Sequence, residues 1–364
     1  MSPWLVSARF DIVAFTLPAL LALLVGSQSS RLTDASGETP TWAWLLFVVL
    51  IDVAHVHATT LRVYCDAREL RRRPWLYAAA PIAGFVLSVL LYAHSAALFW
   101  RCLAYLAVFH FVRQQLGWMR MYRRREARRT RLDAQLDELA IYAATVCPVI
   151  VWHTRLPGNF AWFMPGDFAA GLPPAAADAA LLTFALCALT FYTRQAQRAL
   201  RGEPVAWGKL LLFTTSAAIW WIGIVVIAND FAFTVTNVVA HGVPYMLISQ
   251  RVARTQQQNR WYTSSLAGYL LALCALAVSE EWLWDAFVWH EHATLLGTPN
   301  LDLEAAAAIL VPLLSLPQLT HYILDAYLWR LDGTNPAVSE TFASSSAALA
   351  DSALADTRGH LPVD

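Results

Sequence analysis

Charge is scarce in this chain: only 14% of its 364 residues are Asp, Glu, Lys or Arg. A soluble protein of that length needs a charged exterior, so a soluble domain is excluded. Lysine is nearly absent. Lys209, the only one, falls at a helix end rather than in mid-membrane, which argues against a retinal Schiff base. The five cysteines (Cys65, Cys102, Cys147, Cys187 and Cys274) stand singly, without a CxxC pair, so neither a disulfide framework nor a thiolate metal site is expected. They read as apolar packing residues. No internal repeat stands out. The chain opens without a charged n-region, short apolar core and cleavage site, so its first apolar segment reads as a retained helix.

What is abundant is apolar length. Hydrophobic residues make up 58% of the chain and mean hydropathy is +0.45. A bilayer core needs about 20 mostly apolar residues per helix. Segments of that kind recur at 10–28, 41–63, 75–95, 97–119, 134–153, 175–194, 208–229, 231–250, 263–286 and 303–330. The expected fold is an all-α polytopic transmembrane bundle of about ten helices with both termini cytoplasmic, comprising a membrane domain over 1–334 and a disordered cytoplasmic tail over 335–364. With the N-terminus inside, the inner loops 62–74, 119–133, 193–209 and 250–261 hold 5, 7, 4 and 3 Lys or Arg. The outer loops hold only Arg31, Arg101 and Arg155, so every loop obeys the positive-inside rule. A bacterial cytoplasmic membrane is the expected location. The run Arg120 to Arg131 has no interleaved aromatics and lies just inside a span, so topology and anionic lipid account for it better than nucleic acid. Between helices five and six, Phe160, Trp162 and Phe163 beside Pro157 and Gly158 suit an interfacial aromatic cap, or a substrate lid.

Polar residues inside spans are costly, and each needs a partner or a wet cavity. Here they concentrate in four helices: Asp52, His55 and His57 in the second, His110, Arg113 and Gln114 in the fourth, Asn237, His241 and Tyr245 in the eighth, His321 and Asp325 in the tenth. At about 1.5 Å per residue from the inner charged end of each helix, His55, His57, His110, His241 and His321 all lie about 8–15 Å deep. Asp52 and His55 are i,i+3, while His110 and Gln114, His241 and Tyr245, and His321 and Asp325 are i,i+4, so each pair shares a face. His55 and His57 are about 200° apart on a regular helix, so one of them at most faces a common centre. Pro244 and Pro317 can kink their helices nearby. Neutral imidazoles with carboxylates and no thiolates suit non-haem iron best, with zinc, copper or manganese as alternatives. The candidate ligands are His55, His57, His110, His241, His321, Asp52 and Asp325. Arg113, Tyr245 and Gln114 are the candidates for positioning substrate, Arg113 pairing with Asp52 or Asp325 or holding an anion. A second group, His94, His153, His290, Glu291 and His292, sits at outer helix ends and is the weaker metal candidate.

Single histidines spread over several membrane helices, here His55, His57, His110, His241 and His321, resemble the layout of the Brp/Blh-type β-carotene dioxygenases and, more loosely, of integral-membrane non-haem iron oxygenases. The resemblance implies iron, dioxygen and an apolar substrate drawn from the bilayer. The HxxxH and HxxHH boxes of membrane desaturases and hydroxylases are absent. The leading expectation is a metal-dependent membrane oxidoreductase acting on a lipid-soluble substrate. The alternatives are a proton- or metal-ion-coupled transporter using the same layer, and a haem electron-transfer protein, although no helix of the inner cluster carries the histidine pair spaced about 13 residues apart that di-haem bundles use.

Overall fold

The structure is a computed structural model that describes residues 2–34, 37–126, 130–158, 160–256, 260–301, 303, 306–330 and 334–342. Among these residues the chain is helical without strands, and nine helices are long and apolar enough to cross a membrane. They are α1 (Ala8–Ser27), α2 (Thr41–Tyr64), α3 (Pro74–His94), α4 (Ala96–Arg123), α5 (Arg131–His153), α6 (Pro174–Leu200), α7 (Trp207–Ile227), α8 (Asp230–Gln256) and α9 (Leu266–Trp289). A tenth, α10, consists of Ala307–Leu314 and Leu316–Leu328, bent by 42°. Pro317 lacks the N–H that would continue the helix, and Ser315 turns its hydroxyl back to the Val311 carbonyl, so the break falls between them. The fold is an all-α polytopic membrane bundle.

Burial separates inner from outer helices. The apolar window of α8 is 83% buried and that of α6 only 11%, so α8 is the axis and α6 faces lipid. α8 packs against α1, α2 and α7. Its approach to α2 depends on Gly242, where a Cβ would meet Ile51 Cγ2 at 2.7 Å and the Ile51 carbonyl at 3.1 Å. That contact lies one residue from His241 and four from His55. α2 itself is irregular: wide π turns over Trp44–Val53 and Thr60–Tyr64 flank the regular turns of Ala54–Thr59 that carry both its histidines. Such turns, bonded i→i+5, shift the face a side chain presents and recur at functional sites.

The Arg-rich loops gather at one end of the bundle. Arg125 donates to the carbonyls of Leu5 and Phe342, Arg72 to Asn335 Oδ1, and Gln256 to Glu69. The first and last described segments therefore lie on the same face, which makes the number of crossings even and counts bent α10 as one. Much of the arginine cluster is tied inward by carboxylates. Arg120 and Arg123 bond Glu138, Arg194 bonds Asp133, and Arg198 bonds Glu126 and Glu203. Lys209, fully buried, sits between Glu126 at 2.5 Å and Asp137 at 3.0 Å. At the opposite end the 154–174 loop folds into an aromatic cap. Phe160, Trp162 and Phe168 pack on Trp152 and Phe233, and buried Asp167 accepts from the backbone of Trp162 and Phe163.

One expectation needs correction. The disordered tail was expected from residue 335, yet 336–342 is helical, with Val338 and Phe342 buried against the core that holds Leu5 and Val252. These two apolar residues are i,i+4 in an Ala- and Ser-rich stretch, too short a pattern to register as a period. Residues 343–364 lie outside the described residues.

The positive-inside rule predicts that the arginine-rich face is cytoplasmic. In a Cys102→Ser background, Arg201→Cys and Arg254→Cys should resist an impermeant maleimide added from outside, while Ala170→Cys in the aromatic-capped loop should label. Strong outside labelling at 201 or 254 would reverse the orientation.

Candidate metal centre

Four imidazoles meet in the middle of the bundle. His55 of α2, His110 of α4, His241 of α8 and His321 of α10 are each at most 4% exposed, and one ring nitrogen from each lies within 4.8 Å of all the others. His55 Nε2 is 3.0 Å from His241 Nε2, and His110 Nε2 is 3.0 Å from His321 Nε2. Nitrogens bound to one ion at 2.0–2.2 Å are at most about 4.4 Å apart, so shifts on the order of 1 Å would bring all four onto one ion. The rings are held by flat neighbours. Phe111 stacks on His241 with centroids 3.8 Å apart, and Tyr322 stacks on His110 at 4.7 Å. Trp162 of the aromatic cap stands edge-on to Phe111 at 5.3 Å, which links the cap to the centre.

A hydrogen-bond chain behind His321 selects its tautomer. His321 Nδ1 is 2.9 Å from Thr59 Oγ1, Thr59 Oγ1 is 3.3 Å from the Tyr245 hydroxyl, and that hydroxyl donates to Asp325 Oδ1 at 2.9 Å. Trp329 Nε1 donates to the same oxygen at 2.6 Å. Tyr245 gives its only proton to the carboxylate, so its oxygen accepts from Thr59, and Thr59 in turn accepts from His321 Nδ1–H. A consistent chain thus places the His321 proton on Nδ1 and leaves a bare lone pair on Nε2, aimed at the other three rings. This is how outer groups usually set the tautomer of a metal-bound histidine. His55 Nδ1 faces Asp52 Oδ1 at 3.5 Å, a second imidazole–carboxylate pair.

Charge around the centre favours a cation. Asp52 lies beside His55, Asp325 ends the chain from His321, and Glu280, with Glu281 next to it, is 3.0 Å from His57 Nε2. Two guanidiniums stand on the other side of the balance: Arg62, which donates to the Leu328 carbonyl and lies over the Trp329 ring, and Arg113, one turn from His110 on α4. Carboxylates in excess beside four imidazole donors fit a divalent metal ion and would be poorly matched to an anion. The buried four-histidine group can therefore hold a metal ion, and among the described residues it is the only such group.

The remaining candidates separate from the four. His57 points to Glu280 of α9, on the far side of α2 from His55, as the angle between them requires. Asp52 and Asp325 stand behind imidazoles rather than among them. Tyr245 presents its ring to His55 and His321 and its hydroxyl to Thr59 and Asp325. Arg113 pairs with neither aspartate; it donates to the Tyr142 hydroxyl of α5 at 2.6 Å. Gln114 is buried with both amide atoms free of hydrogen bonds. In the outer group, His153 bonds Tyr105 and the Val149 carbonyl, and His292 stacks on Trp44. Thr59 and Glu280 were not singled out in the sequence. Glu280 carried a usable signal, an acid within an apolar span; Thr59 carried none, because isolated threonines are ordinary in membrane helices.

Compared with family models, curated proteins and solved structures, the chain matches none.

If the four Nε2 atoms share an ion, His55→Ala should abolish stoichiometric metal binding, and Thr59→Val, which cuts the chain behind His321, should weaken affinity about 10–100-fold. His57→Ala should leave stoichiometry intact. Metal titration of the purified variants decides it, and a His57→Ala protein that loses metal while His55→Ala keeps it would place the site elsewhere.

Proposed function

We propose that this chain is a metal-dependent membrane oxidoreductase that holds one non-haem iron ion on His55, His110, His241 and His321 and acts on a lipid-soluble substrate. The observation that carries the proposal is the convergence of four imidazole nitrogens at the edge of a cavity that opens between α4 and α10. Four nitrogen donors without a thiolate suit iron, whose preferred six-coordination would leave positions for a reactant. Bound iron would supply redox chemistry and a Lewis-acidic position.

The protein's own groups divide the remaining work. His110 is the one of the four that lines the cavity, so the reacting part of a substrate would approach from its side. Asp325 also lines that cavity and is bonded through Tyr245 and Thr59 to His321, so a proton released or needed in the cavity can be held at Asp325 Oδ and shared along the chain. The aromatic cap and the stacked Phe111 cover the other side, which keeps water from that direction away from the centre. The alternative use of the same layer, as a proton or metal-ion path, draws support from the buried His57–Glu280 pair beside Asp52, and flux measurements separate it from redox chemistry.

Protein purified in detergent from iron-replete cells should carry close to one iron per chain without a Soret band, and His241→Ala or His321→Ala should lose that iron while inserting and eluting as a folded protein. Folded, active, metal-free protein would overturn the proposal; a Soret band would replace it with haem electron transfer.

A further inference from the structure

The cavity beside His110 has a volume of about 460 Å³ and lies between α4 and the second half of α10. Its composition changes along its length. Toward the middle of the bundle it is walled by Leu106, Phe109 and Tyr322; toward the arginine-rich face it meets Arg113, Arg120, Arg124 and Arg330. The single carboxylate lining it, Asp325, is already bonded by Tyr245 and Trp329, and the charge of Arg120 is matched by Glu138 outside it. The lining is thus cationic at one end and apolar at the other.

Two side chains on this wall lack the partners their position demands. Arg113 lies about 10 Å along α4 from Arg120, counting seven residues at 1.5 Å each. It meets the neutral Tyr142 hydroxyl and, among the described residues, no carboxylate within 4 Å. A cation held at that depth without a counter-charge is expensive. Gln114, the next residue, is 6% exposed, and neither its amide nitrogen nor its oxygen is hydrogen-bonded. Both line the cavity, Arg113 from an exposed position with its guanidinium on Tyr142 and Gln114 from a buried one, so an oxyanion in the cavity would accept from Gln114 Nε2 and draw the Arg113 guanidinium off Tyr142. One turn further inward along the same wall stands His110.

We propose that this cavity binds an anionic single-chain amphiphile of the fatty-acid type, its head group on Arg113 and Gln114 and its chain along Leu106, Phe109 and Tyr322. Arg330 at the open end adds positive charge on the side from which the head group would enter. A cavity of about 460 Å³ has room for an alkyl chain. This assignment rests on the oxidoreductase reading for its chemical purpose and places the head-proximal carbons, rather than the chain end, beside the centre.

The test uses full-length protein in detergent with a fluorescent 16-carbon carboxylate as the bound probe, and bound iron measured on the same samples. Palmitate should displace the probe at least about tenfold more effectively than hexadecanol, a difference of about 1.4 kcal/mol, as expected for a charge-assisted contact. Arg113→Gln should erase that preference. Gly117 lines the cavity with open space around its Cα, so Gly117→Leu should fill the cavity without disturbing the helix and weaken both ligands. Equal displacement by the alcohol, or wild-type binding by both variants, would overturn the proposal. Phosphatidylglycerol displacing the probe better than palmitate would overturn the single-chain assignment in favour of a phospholipid. Lost palmitate preference in iron-containing protein would count against the cavity alone, whereas intact preference in iron-free protein would count against the metal centre alone.

Discussion

Four imidazoles in the apolar middle of a bundle must be satisfied by one another or by something they hold in common, and that requirement governs much of the architecture. It ties α2, α4, α8 and α10, which are far apart in sequence, to a single point. Bringing α8 close enough to α2 takes Gly242 against Ile51, and turning His55 rather than His57 inward goes with the π turns on either side of it. The break at Ser315 and Pro317 reorients the half of α10 that carries His321. The irregular features of these helices thus cluster around the residues that meet, where local strain is most readily compensated by shared contacts.

The centre is also asymmetric. On one side the stacked Phe111 and the Trp162 cap close it; on the other His110 borders a cavity whose walls run from apolar to cationic. The hydrogen-bond chain from His321 through Thr59 and Tyr245 ends at Asp325, on the wall of that same cavity. Imidazole orientation, proton position and the wall of that cavity are thereby joined through a handful of side chains on three helices.

Much of this was legible in the sequence because a membrane restricts what apolar runs and charged loops can mean. The spans lie close to their expected positions; α6 and α8 each run six residues further, to Leu200 and Gln256, because their last turns are polar and still helical. The histidine layer was readable from depth alone, since residues equally far from the inner ends of parallel helices arrive at one level. What depth does not give is azimuth. His55 rather than His57 turns inward, on the regular turns between the two π segments of α2, and Arg113 meets Tyr142 of α5 rather than an aspartate while also lining the cavity shared with α10. Thr59 became visible only through its contacts, and the short helix at 336–342 only through the burial of Val338 and Phe342.

The central claim is that the four Nε2 atoms share one iron ion, and crystallographic anomalous differences collected on either side of the iron absorption edge address it most directly. The account predicts one peak per chain, present only above the edge, about 2.0–2.2 Å from each of the four nitrogens. Four imidazoles paired directly through protons with no peak between them, or a peak that persists below the iron edge, would contradict it.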